Sequence, residues 1–179
     1  PEDVQTELIT HSSGVRPLLS TFQPADGRYI TGGEAFEAIA NIASHQSSFI
    51  LIDLGVGFSP IVDKILGLCD ELIIVVEPVP NTILRTRLLI EELITRGFGE
   101  GRITAILYNR NRSELQLSLS QVQEQLHFSI SIVFTPAPEL TYQASRSNMP
   151  LVLMHPDNLT SQQFSKLAEM IVKHVHSRP

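Results

Sequence analysis

Residues 71–97 read "ELIIVVEPVPNTILRTRLLIEELITRG", and this stretch decides the fold class. The apolar run "ELIIVVEP" has the length and β-branched content of a strand, and Pro78 stops it because proline cannot donate to a sheet ladder. From Pro80 to Arg96 the period changes. Ile83, Leu84, Leu88, Leu89 or Ile90, and Leu93 recur at helical spacing, and Gly97 ends the helix. A strand followed at once by an amphipathic helix is half of a βαβ unit on a parallel sheet.

The alternation continues in both directions. Upstream, "VRPLLS" (15–20) is a first candidate strand, better suited to an edge than a sheet centre because of Pro17. Glu34, Phe36, Ala38, Ile39, Ile42 and Ala43 mark a short amphipathic helix. "SFILID" (48–53) is a second strand, apolar enough to be buried on both faces. "SPIVDKILGLCD" (59–70) is a helix with Ser59 as N-cap and Pro60 in its first position. Downstream, "RITAILYN" (102–109) and "SISIVFTP" (129–136) are the fourth and fifth strands, with the helix "LSLSQVQEQLH" (117–127) between them. "APELTYQASRSN" (137–148) is a short helix and "PLVLMHP" (150–156) a short strand or extended segment. "LTSQQFSKLAEMIVKHVHS" (159–177) closes the chain as a helix with Phe164, Leu167, Ala168, Ile171, Val172 and Val175 on one stripe. The expected architecture is a single α/β domain over 1–179, a three-layer, mostly parallel sheet with helices on both faces.

Composition excludes several function classes. A formal charge of −6 provides no global positive field for nucleic acid or an anionic membrane. DNA contact would rest on the local arginines Arg85, Arg87, Arg96, Arg110 and Arg112, whose blander role is solubility. The single cysteine, Cys69, rules out an intramolecular disulfide and any multi-cysteine metal or iron–sulfur site within one chain. The N-terminal residues have neither a basic n-region nor an apolar h-region, and no apolar run reaches membrane-spanning length, so a cytoplasmic location is expected without intrinsic membrane contact. The histidines are scattered, and "GVGFS" is not the nucleophile elbow of a hydrolase.

The residues with the most chemical content follow the second strand, in "FILIDLGVGFSP" (49–60). In an open α/β sheet, ligands bind at the carboxyl ends of the strands, and Asp53 falls there. A carboxylate at that edge can hold a Mg²⁺-bound water, and Gly55 and Gly57 let the backbone approach a phosphate closely. The blander reading is a turn that only needs positive φ. A dinucleotide fingerprint fails because Pro60 stands where the third small residue should be.

"FILIDLGVGFS" resembles the Walker B and switch II segment of the MinD/ParA family of P-loop ATPases, an apolar strand, Asp, and Gly four positions later. "CDELIIVVEPVPNTILRTRLLIEEL", "ITAILYNRNR" and "IVFTPAPELTYQASRSNMPLVL" resemble the family's subsequent segments, in order. "ITHSSGVRPLLS" is similar to the opening of the CpaE branch, and "DLGVG" is close to the FlhG type. The resemblance implies a P-loop NTPase-like fold, ATP and Mg²⁺ as cofactors, and a nucleotide-dependent dimer that positions pilus, flagellar, division or partition machinery. Asp53 would be linked to Mg²⁺ through water, Gly57 would donate its N–H toward the γ-phosphate beside Gly55, and Asn109 would contact adenine with Arg110 and Pro136 nearby.

The family's Gly-Lys-Thr loop is absent from these residues. The nearest match, "GRYITGGE" (27–34), lacks the lysine and hydroxyl, and Lys64, Lys166 and Lys173 lie outside any glycine loop. The lysine neutralises phosphate charge and the hydroxyl ligates Mg²⁺, so this chain alone is expected not to hydrolyse ATP. The expectation is a C-terminal portion missing its first strand and P-loop, whose unpaired sheet groups favour self-association. Two rivals stand beside it: a nucleotide-free interaction module on the same fold, and an unrelated α/β enzyme using Asp53.

Overall fold

The computed structural model describes residues 2–19, 23, 33–110 and 117–177. The chain divides into two compact units, Pro1–Cys69 and Asp70–Pro179. Residues 27–32 of "GRYITGGE", and Arg112, lie outside the described residues.

The first unit is helical. A short helix α1 (Glu2–Glu7) precedes α2 (Gly33–Ser44) and α3 (Pro60–Ile65), and α2 packs against α3. Ala40, Val62 and Ile65 are buried there. Ser59 caps α3 as expected, its Oγ accepting from the Val62 N–H at 3.3 Å. A single 3₁₀ turn over Leu66–Leu68 follows, so the expected helix over 59–70 ends early.

Among the described residues, neither strand expected in this unit forms. Residues 15–19 turn back on the chain: the His11 N–H donates to the Val15 carbonyl at 3.0 Å and the Ile9 N–H to the Pro17 carbonyl at 3.1 Å. That local turn takes up acceptors a sheet would need. Residues 48–53 are extended-run sequence without a ladder, and Leu51 is 86% exposed. The hydrophobic pattern signals a segment that favours burial, but a strand exists only where a neighbour supplies the hydrogen bonds. None of the described strands pairs with it.

The second unit is the α/β body. Three strands, β1 (Leu72–Val76), β2 (Ile103–Tyr108) and β3 (Ile130–Phe134), run parallel in the order β1-β2-β3. The crossovers are α4 (Pro80–Thr95) and α5 (Leu119–Leu126), followed by α6 (Pro138–Arg146), α7 (Leu151–Met154) and α8 (Leu159–His176). Right-handed crossovers put α4 and α5 on one face of the sheet. Their buried residues Ile83, Thr86, Ile90, Leu93, Val122 and Leu126 meet the face that carries Ile74, Val76, Ala105 and Leu107. On the other face Ile106, Ile132 and Phe134 pack against Leu167, with Met170 and Ile171 at the margin. The helices thus cover both faces of a parallel sheet.

Local chemistry sets the helix ends. Ser118 and Gln121 form a reciprocal capping box at the start of α5, and Asn158 caps α8 by accepting from the Thr160 N–H at 2.9 Å. Gly97, at φ +88°, terminates α4. The segment expected as a strand or extended piece at 150–156 contains α7 instead, a single turn closed by the His155 N–H on the Leu151 carbonyl at 2.9 Å. Leucine and methionine are strong helix formers, and that run has no strand beside it. At the amino end of the sheet, Thr104 Oγ1 is 2.5 Å from Glu71 Oε1, and His174 of α8 lies 3.6 Å from the same oxygen. The Glu71 carboxylate accepts from the buried Thr104 hydroxyl, and α8 passes beside it.

Candidate functional site

The sequence places ligand chemistry at the carboxyl ends of the strands, and in the second unit those ends carry Glu77, Asn109 and Thr135–Pro136. Asn109 extends the β2–β3 ladder by one rung, its N–H donating to the Phe134 carbonyl at 3.3 Å. Its side-chain Oδ1 is buried and has no hydrogen-bond partner. Arg110, the next residue, is exposed, and its Nε lies 2.6 Å from Glu77 Oε1 at the end of β1. Glu77 was not singled out by sequence reading; a carboxylate between an apolar strand and Pro78 was the available signal.

Pro136 sits just past β3, partly buried, where the chain turns toward α6. The preceding Thr135 ties this edge to α8. Its N–H donates to Gln163 Oε1 at 3.0 Å, and its carbonyl accepts from Thr160 Oγ1 at 3.3 Å. Asn109, Arg110 and Pro136 therefore share one edge, with the first turn of α8 held against it.

Asp53, Gly55 and Gly57 form a turn of their own in the first unit. The Gly55 N–H donates to Asp53 Oδ1 at 2.9 Å, an Asx turn that orients the carboxylate. Gly55 and Gly57 have φ of +70° and +75°, and a Cβ at either would meet nothing within 4 Å. Backbone conformation, not crowding, selects glycine here. Asp53 and Gly57 are exposed, and Val56 between the glycines is 99% exposed. The turn thus offers water an oriented carboxylate next to accessible backbone N–H groups. Among the described residues no cluster of three or more histidine, cysteine or acidic side chains could hold a metal ion by itself. No described helix is long and apolar enough to cross a membrane.

Solved structures decide what this framework resembles. A ParA family ATPase from Chlorobium tepidum TLS superposes with a TM-score of 0.83 over 93% of this chain and 69% of its own, at 18% identity. The fold is that of the MinD and ParA ATPases. The septum site-determining protein MinD of Pyrococcus horikoshii OT3, solved in complex with Mg-ADP, superposes at 0.78 over 94% of this chain and 68% of its own, at 19% identity. A chain of the MinC:MinD cell division protein complex of Aquifex aeolicus gives 0.69 at 17% identity, covering 95% of this chain and 68% of its own. No family model and no curated protein matches the sequence.

Proposed function

We propose that the chain carries part of a MinD/ParA-type nucleotide switch, which binds ATP and Mg²⁺ and dimerises to position protein machinery. The observation carrying this reading is the buried, unpartnered Oδ1 of Asn109 at the carboxyl edge of a parallel sheet with the MinD/ParA fold. A buried acceptor without a donor costs about 1–3 kcal/mol, and the exocyclic amino group of adenine is a donor of the right kind. On this reading Asn109 orients the base, with Arg110 and Pro136 at its margins. Asp53 would hold a Mg²⁺-bound water, and the Gly57 N–H, with Gly55 beside it, would donate toward the terminal phosphate. Mg²⁺, when bound, would supply positive charge beside the phosphates at this turn. The Mg-ADP complex of the Pyrococcus horikoshii MinD supports nucleotide as the ligand class.

The lysine and hydroxyl that cradle phosphates are not among these residues, so the base contributes most of the recognition and turnover is not expected of this chain. Saturation-transfer NMR with adenosine at about 5 mM should detect weak binding that Asn109→Ala removes. Binding that survives Asn109→Ala, or none in the intact chain, overturns the assignment. Mg·ATP turnover lost in Asp53→Ala would refute the expectation of no hydrolysis. The exposed apolar run at 49–52 favours a second reading, a nucleotide-free interaction module on the same fold. Adenosine binding separates the two.

A further inference from the structure

β1 and β2 are neighbouring parallel strands whose last paired rung is Val76↔Leu107, so the residues beyond them emerge at the same carboxyl edge of the sheet. Glu77 is one of these. Its backbone is held locally: Pro78 restricts it to extended conformations, and the Val79 N–H donates to its carbonyl at 2.7 Å. Its side chain is 32% exposed and reaches across the edge, with Oε1 2.6 Å from Arg110 Nε. The Arg110 side chain is 72% exposed, and Arg110 has no other partner among the described residues. An ion pair this open to water contributes little to stability. It does fix where the guanidinium plane stands.

Arg110 directly follows Asn109, whose buried Oδ1 has no hydrogen-bond partner. An acceptor of this kind meets a base at its edge and leaves both faces of the ring uncovered. A guanidinium is planar, delocalised and weakly hydrated, and it stacks on a ring face as an ammonium cannot. On a long, unrestrained side chain such stacking costs rotamer freedom at the moment of binding. Glu77 removes part of that cost, because Arg110 is already held at Nε before any ligand arrives. The carboxylate also offsets the guanidinium charge, so the pair suits an uncharged ring better than a phosphate.

We propose that Glu77 is a positioning residue that holds the Arg110 guanidinium to stack on the face of a purine base whose edge Asn109 binds. This rests on the nucleotide reading of the Asn109 site, and the test separates the two. Saturation-transfer titration gives the adenosine affinity of the intact chain and its variants. Arg110→Ala should weaken binding by about fivefold and Glu77→Gln by about threefold. Arg110→Lys should lose as much as the alanine variant, since a charge without a plane does not stack. Glu77→Gln should add nothing in the Arg110→Ala background, a dependence that a merely structural carboxylate would not show. The urea midpoint should stay unchanged throughout, and without ligand the ¹H–¹⁵N signal of Arg110 Nε should shift on Glu77→Gln. Adenosine binding indifferent to Glu77→Gln overturns this proposal and leaves the Asn109 assignment standing. So does an unmoved Nε signal, a Glu77 effect that persists without Arg110, or full rescue by Arg110→Lys. AMP bound far more tightly than adenosine through Arg110 would make the guanidinium a phosphate ligand, with the same consequence. An intact chain that binds no adenosine overturns both readings.

Discussion

Two apolar runs of similar length, "LIIVV" at 72–76 and "FILID" at 49–53, have different fates. The first is β1, paired in parallel to β2 from Leu72↔Ile103 to Val76↔Leu107, with Val76 fully buried. The second has no ladder among the described residues, and the exposure of its apolar side chains runs from 40% at Ile50 and Ile52 to 86% at Leu51. Composition does not separate them. What separates them is a neighbour: β1 has β2 alongside and α4 packed against it, and residues 49–53 have no described strand beside them. Apolar content measures how much free energy burial would release, while pairing depends on a second segment that the run itself cannot specify.

The largest effect should come from the paired side. Phe134 is fully buried at the end of β3, packed beside Ile106, Ile132 and Leu167. Phe134→Ala should destabilise the second unit by about 3–5 kcal/mol, through lost burial and the cavity left behind. Urea unfolding followed by circular dichroism measures this. A cost below 1 kcal/mol would mean the sheet is no better packed than the exposed run, and the contrast would collapse.

A smaller effect compares two left-handed glycines. Gly97 at φ +88° is held by its place at the end of α4, where the Phe98 N–H donates to the Leu93 carbonyl at 3.0 Å. Gly57 at φ +75° lies in an exposed turn. Neither site is crowded, so alanine is penalised by backbone conformation alone. Gly97→Ala should cost about 1 kcal/mol in the same urea titration, because the helix end cannot relax without losing its cap. Gly57→Ala should cost less, since a free turn can shift to negative φ. Equal costs would reveal constraint in the Asp53 turn beyond the Gly55 hydrogen bond.

These contrasts explain how far sequence reading reached. The helices over 33–44, 80–95, 119–126 and 159–176 were legible because periodicity, caps and stop residues are local. So were β1, β2 and β3, whose connecting helices return the chain to pair with its own next strand. The strands expected at 15–20 and 48–53 failed because pairing is not local, and α7 because a short Leu/Met run is ambiguous between states. At the site, Asp53 with its glycines and Asn109 could be picked out by residue type and position. The unpartnered state of Asn109 Oδ1, the Glu77–Arg110 pair and the Gln163 contact to Thr135 depend on tertiary neighbours, and no spacing rule announces them.

The smallest expected effect is the sharpest test of the opening comparison. Leu51→Ser removes a large apolar side chain from a run that reads, by its residues alone, as a core strand. Because Leu51 is 86% exposed, little burial is lost, and stability should change by no more than about 0.5 kcal/mol. Native-state hydrogen exchange gives the independent reading. The amides of residues 50–52 should exchange at close to unprotected rates, while those of β2, with ladders on both sides, should be the slowest. Protection at 50–52 that Leu51→Ser removes would mean the run has found a ladder in solution. Its apolar content would then have correctly signalled a strand, with a second chain supplying the partner.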